Sequence, residues 1–244
     1  MCDVIIDKNI IDSSEKNLIH IDLITKYIDY IGKIKEKEDL IEKTILFLKK
    51  NYCLDAIGLR LREGPDYPYY TTLGFSDAFV KAENYLCKKD ENGNILRSED
   101  GEPILECLCG NIINKKIDKS ILTERGSFLT IDGIKSIQNI PSAITCMTRN
   151  KCFEEGYKSV AIIPISYKDA VIGLLQMNHR QENAFDNALI QTSEEIAAMM
   201  GQALGGIIKT EQERLAKKES LAQNIRKIVA ELQSISRDMA KKYA

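Results

Sequence analysis

The chain has 244 residues, 44% of them hydrophobic, enough for one sizeable domain with an extra helix or for two small domains. Its formal net charge of −2 and pI near 5.9, with acids and bases interspersed, leave no basic footprint, so direct nucleic-acid binding is not expected. No basic stretch leads into a long apolar run at the start, and no window reaches the roughly 18 apolar residues of a membrane span, so a cytoplasmic protein without a membrane partner is expected.

Residues 1 to about 20 are a weakly patterned lead-in, with Ser13 or Ser14 available to cap a helix before Glu15. Between 21 and 50, Ile24, Ile28 and Ile31, then Leu40, Ile41, Ile45 and Leu48, recur at three and four, interrupted by charges between 32 and 38. That spacing predicts two helices joined by a charged hinge. Residues 56–62 (AIGLRLR) alternate with period two, Glu63-Gly64-Pro65-Asp66 supplies a turn, and 69–73 is a second strand, which together predict a hairpin. A long irregular region is expected from 74 to about 125, with polar turns at 90–94 and 99–103. A loop of that length inside a compact domain is usually functional or disordered, and a bound metal is one means of ordering it.

Order is expected to resume with a strand at 127–131 and a helix at 143–155 that carries Cys146 and Cys152 and ends at Gly156. Two apolar strands, 159–165 (SVAIIPI) and 171–178 (VIGLLQMN), flank a turn at 167–170 and form a second hairpin. Asp186 is the expected N-cap of a last helix, in which Leu189, Ile196, Met200, Leu204 and Ile207 carry the apolar stripe past Gly205 towards the C-terminus. In its tail Leu221, Ile225, Ile228, Leu232, Ile235 and Met239 are spaced four, three, four, three, four, the seam of a coiled coil, which predicts a homodimer through this helix. A single amphipathic helix packed on its own domain is the alternative, because the seam is poor between 211 and 218.

Cys87, Cys107, Cys109 and Cys152 fall within about a quarter of the chain, with Cys146 as a further thiol. Thiolates are soft ligands, and clustered cysteines in a reducing compartment point to metal or redox chemistry more than to structural disulfides. A Cys-x-Cys pair directs both side chains to one side only where the backbone is extended. Redox switching among the thiols and plain apolar packing remain alternatives; Cys2 and Cys53 are assigned to the core. Tyr67, Tyr69 and Tyr70, with Phe75 and Phe79, are candidates for the wall of a ligand pocket or for simple core. Arg149 and Asn150 beside Cys152 are candidates to bind an anion or brace the thiolates. His20 and His179 are expected at the surface. No Ser-His-Asp set, phosphate-binding loop or His-Glu-x-x-His motif is present, so no catalytic residue is assigned and an enzyme is not expected.

The segment SVAIIPISYKDAVIGLLQMN, followed by AFDNALIQTSEEIAAMMGQAL, resembles the end of GAF domains, and the likeness extends over about residues 40–208. Gly58–Gly64, Asp66–Tyr70, Cys87, Glu106-Cys107-Leu108-Cys109-Gly110-Asn111, Thr148-Arg149-Asn150 with Cys152, and Gly156–Ser159 resemble a cysteine-bearing GAF subgroup of bacterial and archaeal signalling proteins. The resemblance implies an α+β fold: a central antiparallel sheet flanked by helices, with a C-terminal coiled-coil helix. It implies a helical lead-in over 1–38, a sensor domain over 39–208 and the coiled-coil helix over 209–244. It further implies that Cys87, Cys107, Cys109 and Cys152 hold an iron–sulfur cluster or Zn²⁺, with a small-molecule ligand nearby. No kinase domain or helix-turn-helix follows, so output is expected through a signalling partner, a kinase or regulator, or through the coiled coil. Two alternatives stand beside this sensor: a thiol redox enzyme of the GAF-type methionine sulfoxide reductase kind, and a non-catalytic scaffold with a structural zinc.

Overall fold

The computed structural model describes residues 13–133 and 149–242. The elements follow in the order α1 (Ser13–Ile31), α2 (Lys37–Asn51), β1 (Ala56–Leu61), β2 (Tyr69–Leu73), α3 (Asp77–Glu83), α4 (Cys107–Ile113), β3 (Phe128–Thr130), α5 (Lys151–Glu154), β4 (Ser159–Tyr167), β5 (Ala170–His179) and α6 (Asn187–Lys242). The strands form one five-stranded sheet in the order β2-β1-β5-β4-β3, with every neighbouring pair antiparallel. Both expected hairpins form, and β1 and β5, which are not consecutive, lie side by side at the centre. This is the α+β architecture expected from the sequence.

The chain divides into two compact units, Met1–Leu204 and Gly205–Ala244. In the first unit the two faces of the sheet differ in chemistry. Because side chains alternate along a strand, Ile57, Leu59 and Leu61 share one face with Leu175 and Met177, their cross-strand partners or neighbours on β5. This face is dry: α2 packs on β1 with Leu40, Ile41, Ile45 and Leu48 buried, and Ser193 of α6 touches Met177. The other face carries Ala56, Gly58 and Arg60 opposite Asn178, Gln176 and Leu174, and α4 packs over β4 and β5. All six residues of β1 are buried, so the polar half of its period-two pattern does not face water.

Several segments and residues differ from expectation. Residues 74–125 are ordered: α3 is capped by Ser76, whose hydroxyl accepts the Phe79 N–H at 3.1 Å, and isolated bridges Cys87↔Leu105, Lys89↔Ile95 and Arg97↔Pro103 fold the two polar turns into a narrow ladder. Pairing within the segment gives it this order. In the predicted 143–155 helix, residues 151–154 are helical and Gly156 follows the helix with φ of 82°, while 143–148, with Cys146, lie outside the described residues. Cys2 also lies outside them, and Cys53 is exposed at φ of 49° rather than in the core. His20 is not a free surface residue: its Nδ1 meets Thr192 Oγ1 at 2.5 Å and its Nε2 lies 3.2 Å from Glu195, which ties α1 to α6. His179 lies 3.2 Å from Asp55 with its side chain only 16% exposed.

The expected cap of α6 is present, with Asp186 Oδ1 accepting the Leu189 N–H at 2.8 Å. In the second unit the helix continues to Lys242, and Leu221, Ile225, Ile228 and Leu232 are 60, 52, 55 and 60% exposed. No helix among the described residues is long and apolar enough to cross a membrane.

Candidate functional site

The face of the sheet under α4 holds Arg60, Gln176 and Asn178, all at most 1% exposed. Buried polar groups are costly unless hydrogen-bonded, and buried charges more so. Among the described residues Arg60 has no carboxylate within ion-pair distance. Instead its Nη1 donates to the carbonyls of Tyr67 (3.0 Å) and Asn84 (2.9 Å), and Nη2 to that of Glu83 (2.6 Å). Its guanidinium lies 3.6 Å from the centre of the Tyr69 ring, a cation–π contact. A shift in the β1–β2 register between Leu59 and Arg60 sets Tyr69 opposite Arg60. Gly58 leaves room for the ring, since a Cβ there would come within 2.7 Å of Tyr69 Cε1.

Gln176 is the hub of this face. Its Oε1 accepts the Tyr69 hydroxyl proton at 2.7 Å and faces the Cys109 thiol at 3.8 Å, while its Nε2 donates to Cys152 Sγ at 3.3 Å and to Asn178 Oδ1 at 3.1 Å. Cys109 comes from α4, Cys152 from α5, and Cys107 opens α4 at φ of 63°, a left-handed conformation that non-glycine residues adopt at a cost. The Cys-x-Cys pair is therefore gathered by a helix start with one left-handed residue and not by an extended strand. Gly110 allows the close seating of α4, because a Cβ there would meet Leu105 Cβ at 2.6 Å.

The thiols are inequivalent. A hydrogen bond from the Cys109 thiol and the backbone N–H groups of Leu108 and Cys109 hold the Cys107 thiol below its ordinary value, against the effects of burial and of Glu83. The same bond, together with burial, raises Cys109 well above the usual thiol range. Burial pushes Cys152 up to about 12. Cys107 is thus the thiol whose ionisation this setting favours, and it and Cys152 keep partial solvent exposure whereas Cys109 is buried. Arg149 closes the edge of the cluster: Nη2 and Nε bond Glu106 Oε2 at 2.8 and 3.2 Å, Nη1 bonds the Tyr85 carbonyl at 2.7 Å, and Glu83 Oε1 lies 3.9 Å away.

Of the four cysteines singled out in the sequence, Cys107, Cys109 and Cys152 come together, and Cys87 belongs to the same apolar cluster with different polar neighbours. Its thiol faces the Pro65 carbonyl at 3.4 Å, its N–H is held by Asp66, and burial and Asp66 raise it to about 12. Among the described residues no three His, Cys, Asp or Glu side chains form a group able to hold a metal ion. Tyr69 joins the cluster, and Tyr67 is buried with its hydroxyl on the Val171 carbonyl. Tyr70 is 40% exposed, with its hydroxyl on Glu38. Asn150 takes the left-handed conformation before α5, with Oδ1 buried. Two open grooves, of about 380 Å³ beside Thr72, Phe75 and Tyr85 and about 570 Å³ beside Arg62, Arg97 and Lys115, have no cysteine in their walls.

Sequence reading missed Arg60, Glu83, Gln176 and Asn178. Arg60 alternates with apolar residues exactly as a solvent-facing strand residue does, and Gln176 and Asn178 stand two apart in an otherwise apolar strand. That second spacing was a usable signal: two amides on one face of a central strand need polar partners inside the core.

No family model and no curated protein matches the chain. Solved structures match its fold. The GAF domain of a phosphoenolpyruvate-protein phosphotransferase from Coxiella burnetii has a TM-score of 0.55 at 14% identity, over 80% of this chain and 98% of that one. The corresponding GAF domain from Acinetobacter has a TM-score of 0.51 at 14% identity, over 80% and 95%. A free methionine-R-sulfoxide reductase from Neisseria meningitidis, in complex with its substrate, has a TM-score of 0.50 at 14% identity, over 82% and 96%. The chain has the GAF fold, which the GAF domains of these two phosphotransferases share with the Neisseria reductase.

Proposed function

We propose that the chain is a cytoplasmic thiol-redox sensor in which a peroxide oxidises Cys107, and the resulting Cys107–Cys109 disulfide repacks α4 on the sheet. The observation that carries this reading is the meeting of Cys109 and Cys152 at Gln176, with Cys107 hydrogen-bonded to Cys109. The Cys107 thiolate attacks one peroxide oxygen; an S–O bond forms, the O–O bond breaks, and the second oxygen leaves as hydroxide or alkoxide, leaving a sulfenic acid. The Cys109 thiol then attacks that sulfur, and its proton leaves with the sulfenic hydroxyl as water. An external dithiol reopens the disulfide and is itself oxidised. Two chains join through the exposed seam at Leu221, Ile225, Ile228 and Leu232, and the dimer passes the change to a kinase or regulator.

A second reading, in which Cys87, Cys107, Cys109 and Cys152 hold zinc or an iron–sulfur cluster, requires Cys87 to leave its Pro65 and Asp66 partners and join the other three. Purification without oxygen, metal counting and peptide mapping separate the two. Metal-free protein that forms a Cys107–Cys109 disulfide with peroxide, reversed by a dithiol, supports the sensor. One metal or cluster per chain, lost in Cys109→Ser, overturns it. Steady reduction of free methionine sulfoxide at the expense of a dithiol makes the chain an enzyme instead, a reductase like the Neisseria neighbour by name.

A further inference from the structure

Cys152 meets the same side chain as Cys109, yet the redox step above leaves it unused. The reason lies in how Gln176 stands between the two. Cys109 reaches it from α4 and Cys152 from α5, at opposite ends of one carboxamide: Oε1 faces the Cys109 thiol at 3.8 Å, and Nε2 donates to Cys152 Sγ at 3.3 Å. Groups other than thiols set the orientation of that amide. The Tyr69 hydroxyl donates to Oε1 at 2.7 Å, Nε2 donates to Asn178 Oδ1 at 3.1 Å, and the Tyr69 ring is itself held by Arg60, 3.6 Å from its centre. Gln176 is 1% exposed on the central strand β5, where a hydrogen bond is stronger than in water and its partners are not readily exchanged.

The two thiols are therefore held in different ways. The Asn178 side chain joins Gln176 as a second partner of Cys152, so both amides of β5 engage that sulfur, whereas Cys109 keeps a direct hydrogen bond to Cys107. A disulfide needs its sulfur atoms about 2.05 Å apart, so the thiol already beside Cys107 has the shorter way to go. We propose that Gln176 is the positioning residue that sets the pairing: it holds Cys152 back from Cys107, so that oxidation stops at the Cys107–Cys109 disulfide and Cys152 stays a free thiol. This rests on the redox reading above and adds its pairing rule. The step is the one already balanced: Cys109 sulfur attacks the Cys107 sulfenic acid, the S–S bond forms, the S–O bond breaks, and the Cys109 proton leaves with the hydroxyl as water. Without Gln176, Cys152 competes for the same sulfenic sulfur, and a Cys107–Cys152 disulfide forms with the same balance.

The test treats the intact chain with hydrogen peroxide, alkylates the remaining thiols with iodoacetamide after unfolding, and maps the disulfides by peptide mass. Wild type is expected to give Cys107–Cys109, with Cys152 alkylated. Gln176→Met keeps most of the volume but loses both thiol contacts, and should raise the ratio of Cys107–Cys152 to Cys107–Cys109 about tenfold, a shift of about 1.4 kcal/mol between two competing attacks. Gln176→Ala should raise it at least as far. Leu175→Ala controls for loosened packing, because this residue is 0% exposed on the opposite face of the same strand; it should keep the wild-type pairing. If both Gln176 variants pair as wild type does, if Leu175→Ala mixes the pairs as they do, or if wild type already pairs Cys152, the inference is overturned while the redox reading stands. If peroxide forms no disulfide at Cys107 in any variant, the redox reading itself is wrong.

Discussion

Replacing Arg60 by methionine tests whether the buried guanidinium holds this face of the domain together. It supplies three hydrogen bonds to carbonyls of Tyr67, Glu83 and Asn84, which tie the chain before β2 and the end of α3 to β1. Removal leaves three buried acceptors unmet, at about 1–3 kcal/mol each. It also loses the stacking on Tyr69, worth about 1–2 kcal/mol where desolvated. Against this, the desolvation of the charge, several kcal/mol, is recovered, and methionine refills most of the volume. The net expectation is a loss of about 3 kcal/mol, which for a domain of this size lowers Tm by roughly 6–12 °C. Urea unfolding under reducing conditions measures it, with the midpoint falling at an unchanged slope. A variant within about 0.5 kcal/mol of wild type would show that the three carbonyls find other donors, and that Arg60 does not organise this face.

The thiols should titrate apart: a pH series of thiolate absorbance and iodoacetamide mapping is expected to show Cys107 ionising below the ordinary thiol value of about 8.5, with Cys87, Cys109 and Cys152 ionising above it. A folded-state value below the unfolded one makes the Cys107 contribution to stability present above about pH 8.5 and lost as pH falls through the folded value; the three raised thiols act in the opposite sense, stabilising below about pH 8.5 and losing that contribution towards alkaline pH. The raised thiols outnumber the lowered one, so unfolding midpoints should decline above about pH 8.5; a flat or rising profile there refutes the assignment. In the tail, Ile225→Asp with Ile228→Asp places charge in the seam and should convert a dimer into a monomer by sedimentation, with the thiol reactivity of Cys107 unchanged. Equal masses for variant and wild type would remove this seam as the interface.

Alternation and period alone determined part of this chain: the 3.6-residue stripes of α1, α2 and α6, the hairpin β4–β5 with its two-residue turn, and the Asp186 cap were readable because each depends on neighbours a few residues apart, whereas α3 and α4 inside 74–125 were not. The clustering of Cys107, Cys109 and Cys152 was readable as a likelihood of thiol chemistry, since residue type limits what a site can do. What only the tertiary structure decided is which groups face each other across the fold. Arg60 reads as a solvent-facing strand residue until the Tyr69 ring and the end of α3 meet it, and the register shift that stacks Tyr69 on it is a property of two strands, not of either one. Cys87, close in sequence to the other thiols, is turned towards Asp66 by the Cys87↔Leu105 bridge, a pairing that no local pattern specifies. Likewise, the difference between Cys107 and Cys109 arises from one left-handed residue and one shared proton at the start of α4. Local sequence carries the elements because their energetics are local; the site is built from groups far apart in the chain, whose desolvation and pairing exist only after the sheet has closed.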